Sequence, residues 1–168
     1  MTNQSASEDR YRRTVGRLYR NDQIEITWEP GRCIHFAACV RGSVQAFNPQ
    51  RRPWIDVAAE SPERLAEIVA RCPTSALRAR RADGWPAEAT PDITTITPML
   101  DGPLFVRGPL RIRDRQGNFV REETRAALCR CGHSKNKPFC DDSHYRSGFR
   151  SNDPAFGEEP DDPDTLVR

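Results

Sequence analysis

Six cysteines stand in two sets of three: Cys33, Cys39 and Cys72, then Cys129, Cys131 and Cys140. His144 follows the second set, so three thiols and one imidazole fall within sixteen residues, a complete four-ligand set for a metal centre. Packing alone asks for no such density of soft ligands. The one-residue gap between Cys129 and Cys131 suits an extended turn gripping a single metal. The three-residue gap between Cys140 and His144 suits the first turn of a helix, where both side chains share a face. Cys3His is also a zinc set, so a zinc knuckle competes, although zinc sites more often space their cysteines by two to four residues. In the first set, Cys33 and Cys39 share one loop, and Cys72 is followed at once by Pro73. The competing reading there is three ordinary buried thiols.

The second set lies in a longer pattern that adds Ser134, Pro138, Asp141 and Ser143. That run resembles the CDGSH iron–sulfur family, Cys-x-Cys-x2-Ser/Thr-x3-Pro-x-Cys-Asp-Gly-Ser/Ala/Thr-His. Every position matches except Asp142, which stands where the family has glycine. The resemblance implies a 2Fe-2S cluster, with Cys129 and Cys131 on one iron and Cys140 and His144 on the other. One imidazole among three thiolates puts the expected potential between plant-type ferredoxins, about −400 mV, and Rieske centres, about −150 to +300 mV. Ser134 is expected to donate to a cluster sulfur and Pro138 to stiffen the loop; His133 is expected to be a solvated loop residue. Asp142 fits a helix N-terminus, where anionic side chains are favoured; a positive φ there would strain it. Its charge is expected to act on this centre and hardly at all on the other, which lies in another domain.

The first set resembles a divergent single-cluster ferredoxin-like domain found in bacteria. The resemblance rests on Trp28-Glu-Pro, Cys33-Ile-His35, Cys39-Val, Val44 to Phe47, Arg52-Pro53-Trp54-Ile55 and Cys72-Pro-Thr-Ser-Ala-Leu77. It implies a cluster held by Cys33, Cys39 and Cys72. A four-iron ferredoxin would have a cysteine where this chain has Phe36, which cannot ligate. Two readings stay open: three thiolates hold a 3Fe-4S cluster, the favoured one, or His35 completes a 4Fe-4S cluster as an extra ligand.

The elements that must position these ligands are short. Gln23 to Trp28 alternates as a strand, and Pro30-Gly31 turns the chain into the first cysteine loop. Ser61-Pro62-Glu63 starts a helix with a capping hydroxyl, and Leu65, Ile68 and Val69 give it one apolar face. Cys72-Pro73 ends it, and Leu77 to Arg81 returns as a strand. Ile93 to Met99, Leu104 to Arg107, Leu110 to Arg113 and Phe119 to Glu122 are further strands. Trp28, Trp54 and Phe47 are expected in the core. The expected fold class is α+β: a small ferredoxin-like α/β domain, then a β-rich CDGSH domain with a short helix at the cluster. The expected organisation is a flexible tail over 1–18, the ferredoxin-like domain over 19–81, a linker over 82–92, the CDGSH domain over 93–151 and an acidic tail over 152–168.

Composition agrees. In 168 residues, 30% are charged and 36% hydrophobic, so two mini-domains with little apolar surface each would gain from a metal staple. A net charge of +2 is too small to argue for nucleic acid. No apolar run reaches membrane-span length, and Met1 to Arg13 lacks the apolar stretch of a secretory signal. The expectation is a cytoplasmic protein in which thiols stay reduced and serve as metal ligands. Its expected role is an electron carrier with a redox protein or enzyme as partner, without membrane or nucleic-acid binding and with homodimerisation through its strands left open. No nucleotide-binding glycine pattern or nucleophile elbow argues for an enzyme. The alternatives are a redox or iron sensor, a cluster-transfer protein, and a structural zinc protein.

Overall fold

The computed structural model describes residues 16–86, 88–152, 162, 163 and 165. The expected tails over 1–18 and 152–168 lie almost wholly outside the described residues. The fold is α+β: two antiparallel three-stranded sheets with short helices. In the first sheet β1 (Arg17–Arg20), β2 (Ile24–Trp28) and β3 (Leu77–Arg81) lie in that order, with Trp28 opposite both Arg17 and Leu77. Between β2 and β3 come a 3-10 turn (Pro30–Arg32), α1 (Ala38–Gly42) and α2 (Pro62–Ala70). The second sheet is β4 (Thr95–Pro98), β5 (Leu104–Arg113) and β6 (Phe119–Leu128), followed by α3 (Ser143–Ser147).

Helix α2 forms as its sequence dictates. The Ser61 hydroxyl accepts the Arg64 N–H at 3.2 Å, Pro62 opens the first turn, and Leu65, Ala66, Ile68 and Val69 are buried. Leu65, Ile68 and Val69 pack with Ile24, Ile26, Phe47, Ile55 and Leu77 in the first core, flanked by Trp28, Trp54, Cys39 and Cys72. A Cβ on Gly42 would stand 2.8 Å from the Ile68 side chain, so glycine lets α1 approach α2 closely enough to bring Cys39 towards Cys72.

Strand β1 is not among the expected strands, and β5 and β6 differ from expectation in extent. The segments 104–107 and 110–113 form one ten-residue strand, broken in register at Gly108-Pro109. Gly108 adopts φ 135°, and proline, lacking an N–H, is tolerated at a bulge. Strand β6 runs to Leu128 rather than to Glu122, because Glu123 and Arg125, polar residues that hide its inner face in the sequence, are buried.

The two halves pack against each other. The Arg125 guanidinium donates to the carbonyls of Val69 (2.8 Å), Cys72 and Leu77 (3.2 Å), which close the end of α2 and the start of β3. Ser75 donates its hydroxyl to the Arg125 carbonyl at 2.7 Å. Arg32 pairs with Glu123, and Arg121 reaches Glu29 at 3.3 Å and Glu123 at 2.5 Å. The described residues of 82–92 carry no strand or helix, and Glu88 among them pairs with Arg125 at 2.7 Å. A second apolar core crosses the boundary: Ile34 and Phe36 from the first cysteine loop pack with Phe105, Ala127 and Cys140.

Candidate metal centres

The C-terminal centre is built on the end of β6. Past Leu128 the chain loops out and returns, with Cys129 N–H bonded to the Pro138 carbonyl (2.9 Å) and Cys140 N–H to the Ala127 carbonyl (2.8 Å). The bridge between Leu128 and Phe139 completes this short hairpin, with Cys129 opposite Pro138 and Cys140 opposite Ala127. The Cys129 and Cys131 sulfurs are 3.8 Å apart, and Cys140 Sγ is 3.4 Å from His144 Nδ1. Cys140 itself precedes α3; Asp142 is the residue at the helix start, and His144 lies in the first turn. His133 is exposed, as expected, and its N–H points at the Cys131 sulfur at 3.4 Å.

The loop's polar side chains hold its shape. Ser134 gives its hydroxyl proton to the Phe139 carbonyl at 2.6 Å and accepts the Asn136 N–H at 3.0 Å, so it braces the loop instead of donating to a sulfur. Asp141 accepts the N–H of Lys135 (2.9 Å) and of Ser143 (3.1 Å). Burial alone would raise the Asp141 pKa, but those hydrogen bonds outweigh it and hold the carboxyl below its usual range. Burial pushes the Cys140 thiol up to about 11, opposed by the Asp142 N–H and helped by the charges of the Asp142 carboxylate, Cys129 and Asp141. Burial also lowers the His144 pKa, against the pull of Asp142 and Asp141, and favours the neutral imidazole that ligates metal. For Cys129 burial is outweighed by the N–H groups of Ser134 and Gly132, and the thiol pKa falls.

Asp142 has φ 67°, so its position carries the left-handed backbone that glycine adopts freely and aspartate adopts at modest cost. Its carboxylate Oδ2 lies 3.2 Å from His35 Nδ1 of the first cysteine loop. Asp142 therefore does not act on the second centre alone; its charge also bears on Cys33. The expectation that this charge would hardly act on the other centre did not allow for Ile34 and Phe36, which pack into the second core and carry the first loop with them.

The N-terminal centre is a small cavity lined by Cys33, Cys39 and Cys72 together with Trp28, Trp54 and Thr74. The backbone turns tightly around it, with positive φ at His35 (54°) and Ala37 (64°). Burial pushes the Cys39 thiol up to about 12, with Cys72 and Cys33 adding. Cys33 is raised by the same main cause, partly offset by the His35 N–H. The His35 side chain is 84% exposed and faces Asp142, not the cavity. Phe36 lies edge-on to Phe105, centroids 5.4 Å apart.

The donor sets fit iron–sulfur clusters. All six cysteines are free thiols. Trp28 Nε1 and Trp54 Nε1 are buried without hydrogen-bond partners, and both indoles line the three-cysteine cavity, where sulfides could accept from them. Trp28 lies close enough to Cys33 to favour its thiolate without reaching hydrogen-bond geometry. At the second centre the only trio of ligand atoms gathered within 4.8 Å among the described residues is Cys140, Asp142 and His144; Cys129 and Cys131 stand outside it as a separate pair.

Two family models match the chain. The divergent 4Fe-4S mono-cluster family matches residues 19–82, and the iron-binding zinc finger of CDGSH type matches residues 101–145. The uncharacterized protein YjdI of Escherichia coli K12 is 31% identical over 64 residues, 38% of this chain and 84% of that protein, and its counterpart in strain O157:H7 gives the same values. No helix among the described residues is long and apolar enough to cross a membrane. The chain thus belongs to the divergent 4Fe-4S mono-cluster family through residues 19–82 and to the iron-binding CDGSH family through residues 101–145, which makes it an iron–sulfur protein.

Proposed function

We propose that the protein is a two-cluster electron carrier with no reaction of its own, serving a redox protein or enzyme in the cytoplasm. The observation that carries the reading is the packing of Ile34 and Phe36 onto Phe105 and Cys140, which sets the two cysteine sites against one shared core. A sensor or a structural site gains nothing from that adjacency; a relay does. When bound, the clusters supply one-electron chemistry. The chain's own residues hold them, exclude water and fix the charges around them.

Cys129, Cys131, Cys140 and His144 would hold a 2Fe-2S cluster. Support comes from their division into two donor pairs, 3.8 Å and 3.4 Å within each pair, with Cys129 and Cys131 outside the tight trio. One tetrahedral zinc would draw all four donors together. Cys33, Cys39 and Cys72 would hold a 3Fe-4S cluster, supported by the outward placement of His35. The matching family's description names a four-iron cluster. With three thiols in the cavity, that alternative requires a fourth ligand, and His35 would have to leave Asp142 to supply it.

The test is anaerobic purification, iron and sulfide analysis, and potentiometric titration followed by electron paramagnetic resonance. The reading expects two separable one-electron couples and reversible reduction. A colourless zinc protein would overturn it. Efficient handover of a cluster to an apo-ferredoxin, without reversible reduction, would favour cluster transfer instead.

A further inference from the structure

We propose that Asp142 is a reserve ligand at the C-terminal centre, a carboxylate that takes over the iron held by Cys140 when His144 lets go. The inference rests on the reading of this centre as a cluster site. Its basis is a contrast between adjacent aspartates. Asp141 has both oxygens occupied, by the N–H groups of Lys135 and Ser143, and is a structural clamp. Asp142 has one oxygen on His35, while its Oδ1 is buried with no hydrogen-bond partner. A buried carboxylate oxygen left without a partner is costly, and such groups in folded proteins are normally paired or bound to a metal.

The Asp142 carboxylate lies where a metal would be. An Asp142 oxygen, Cys140 Sγ and a His144 ring nitrogen all fall within 4.8 Å of one another. The backbone does not ask for aspartate, since φ 67° suits glycine at no steric cost. A side chain that strains its own backbone and leaves an oxygen unpaired has its benefit elsewhere. Carboxylate and imidazole are both competent iron ligands. The exchange moves no electron: one iron–nitrogen bond is replaced by one iron–carboxylate bond, and the imidazole leaves with its lone pair. The donor count at the metal is kept, and one negative charge is added. His35 acts as a positioning residue here, because a partner on one carboxylate oxygen fixes the aim of the other.

The experiment compares full-length wild type with His144→Ala, Asp142→Gly, and the double variant, each purified anaerobically. Occupancy of the C-terminal centre is read from the integrated two-iron resonance after reduction, with iron and sulfide counts alongside. Circular dichroism of each variant checks the fold. Wild type and Asp142→Gly should be equally occupied. His144→Ala should keep most of its two-iron cluster with a shifted resonance, because the ligand field has changed. The double variant should lose more than about tenfold in occupancy. His144→Ala/Asp142→Asn should behave like the double variant, since an amide keeps the shape but not the charge. Loss of the cluster in His144→Ala alone, as complete as in the double variant, would overturn the proposal. So would a double variant as well occupied as His144→Ala. A wild type without any two-iron cluster would instead overturn the reading of the centre itself, and it would be seen before any variant is compared.

Discussion

Arg32, the residue before Cys33, is ion-paired with Glu123 in the middle of β6, and both side chains are almost completely buried. Ninety-one positions of sequence separate them. Glu123 also takes Arg121 at 2.5 Å, and Arg78 stands 4.0 Å away, so one carboxylate balances several guanidiniums at the boundary between the halves. Burial pulls the Arg32 pKa down and Glu123 raises it again, the signature of a charge that depends on its partner. Removing one partner of a buried pair leaves the other uncompensated, at about 3–5 kcal/mol. Glu123→Ala should therefore destabilise the protein by that order in urea denaturation. The N-terminal chromophore should be lost with the same midpoint as the C-terminal one. A loss of under about 1 kcal/mol would mean the pair behaves as an exposed one.

Much of this arrangement was legible in the sequence, and the missing part has a physical reason. The ligand spacing, the Ser61 cap and the Cys72-Pro73 stop are local signals, set by side chains within a few residues of one another. Strand β1 was not legible. Its four residues Arg17–Arg20 are mostly exposed and too few to show a period; what holds them, Arg17 over the Trp28 ring and Tyr19 against the first core, is tertiary. The second half of β6 was hidden because Glu123 and Arg125 are buried by ion pairs and by carbonyls from the other half, which no periodicity records. Ile34 and Phe36 look like filler between ligands in the sequence; only the fold shows that they belong to the second core.

Placing His35 on Asp142 makes a prediction about nuclearity. If three thiolates hold the N-terminal cluster, His35→Ala should leave its yield and its oxidised paramagnetic three-iron signature unchanged. The variant should instead alter the C-terminal couple, because Asp142 loses the partner at 3.2 Å. Mössbauer spectra showing a four-iron cluster in wild type and its loss in His35→Ala would reverse the assignment.

The same contact changes what Asp142→Gly should do. A unit charge about 6 Å from an added electron, at an effective dielectric of ~40, interacts with it on the order of 1 kcal/mol. For a one-electron couple that is a few tens of millivolts. The carboxylate lies beside Cys140 and also bears on Cys33, so both midpoints should rise, that of the C-terminal centre more. Its side chain is only 17% exposed, so salt should weaken the effect less than for a surface charge. Movement of the C-terminal couple alone would show that the field does not cross between the loops.

The buried thiols set the pH behaviour once metal is removed. Cys39 is pushed up to about 12 and Cys140 to about 11, in both cases mainly by burial, and Cys33 is raised in the same way. An unfolded cysteine titrates near 8.5. A folded pKa above the unfolded one means that the folded apo-protein binds protons more tightly than the unfolded chain. The associated stability is complete below about pH 8.5 and is lost as pH rises towards the folded values. Reduced, metal-free protein should therefore show a urea midpoint that falls steadily from about pH 8.5 up to about pH 11; Cys129, whose pKa is lowered, works the other way only below about pH 8.5. The loaded protein should not follow it, because ligated cysteines are already thiolates and have no proton to give up. The converse is that cluster assembly at neutral pH releases about one proton from each of the raised thiols, Cys33, Cys39 and Cys140. A pH-stat during anaerobic reconstitution measures that release directly. An apo-protein whose midpoint ignores pH, or an assembly that releases no protons, would mean that these thiols are already ionised in the empty fold and that burial is not what controls them.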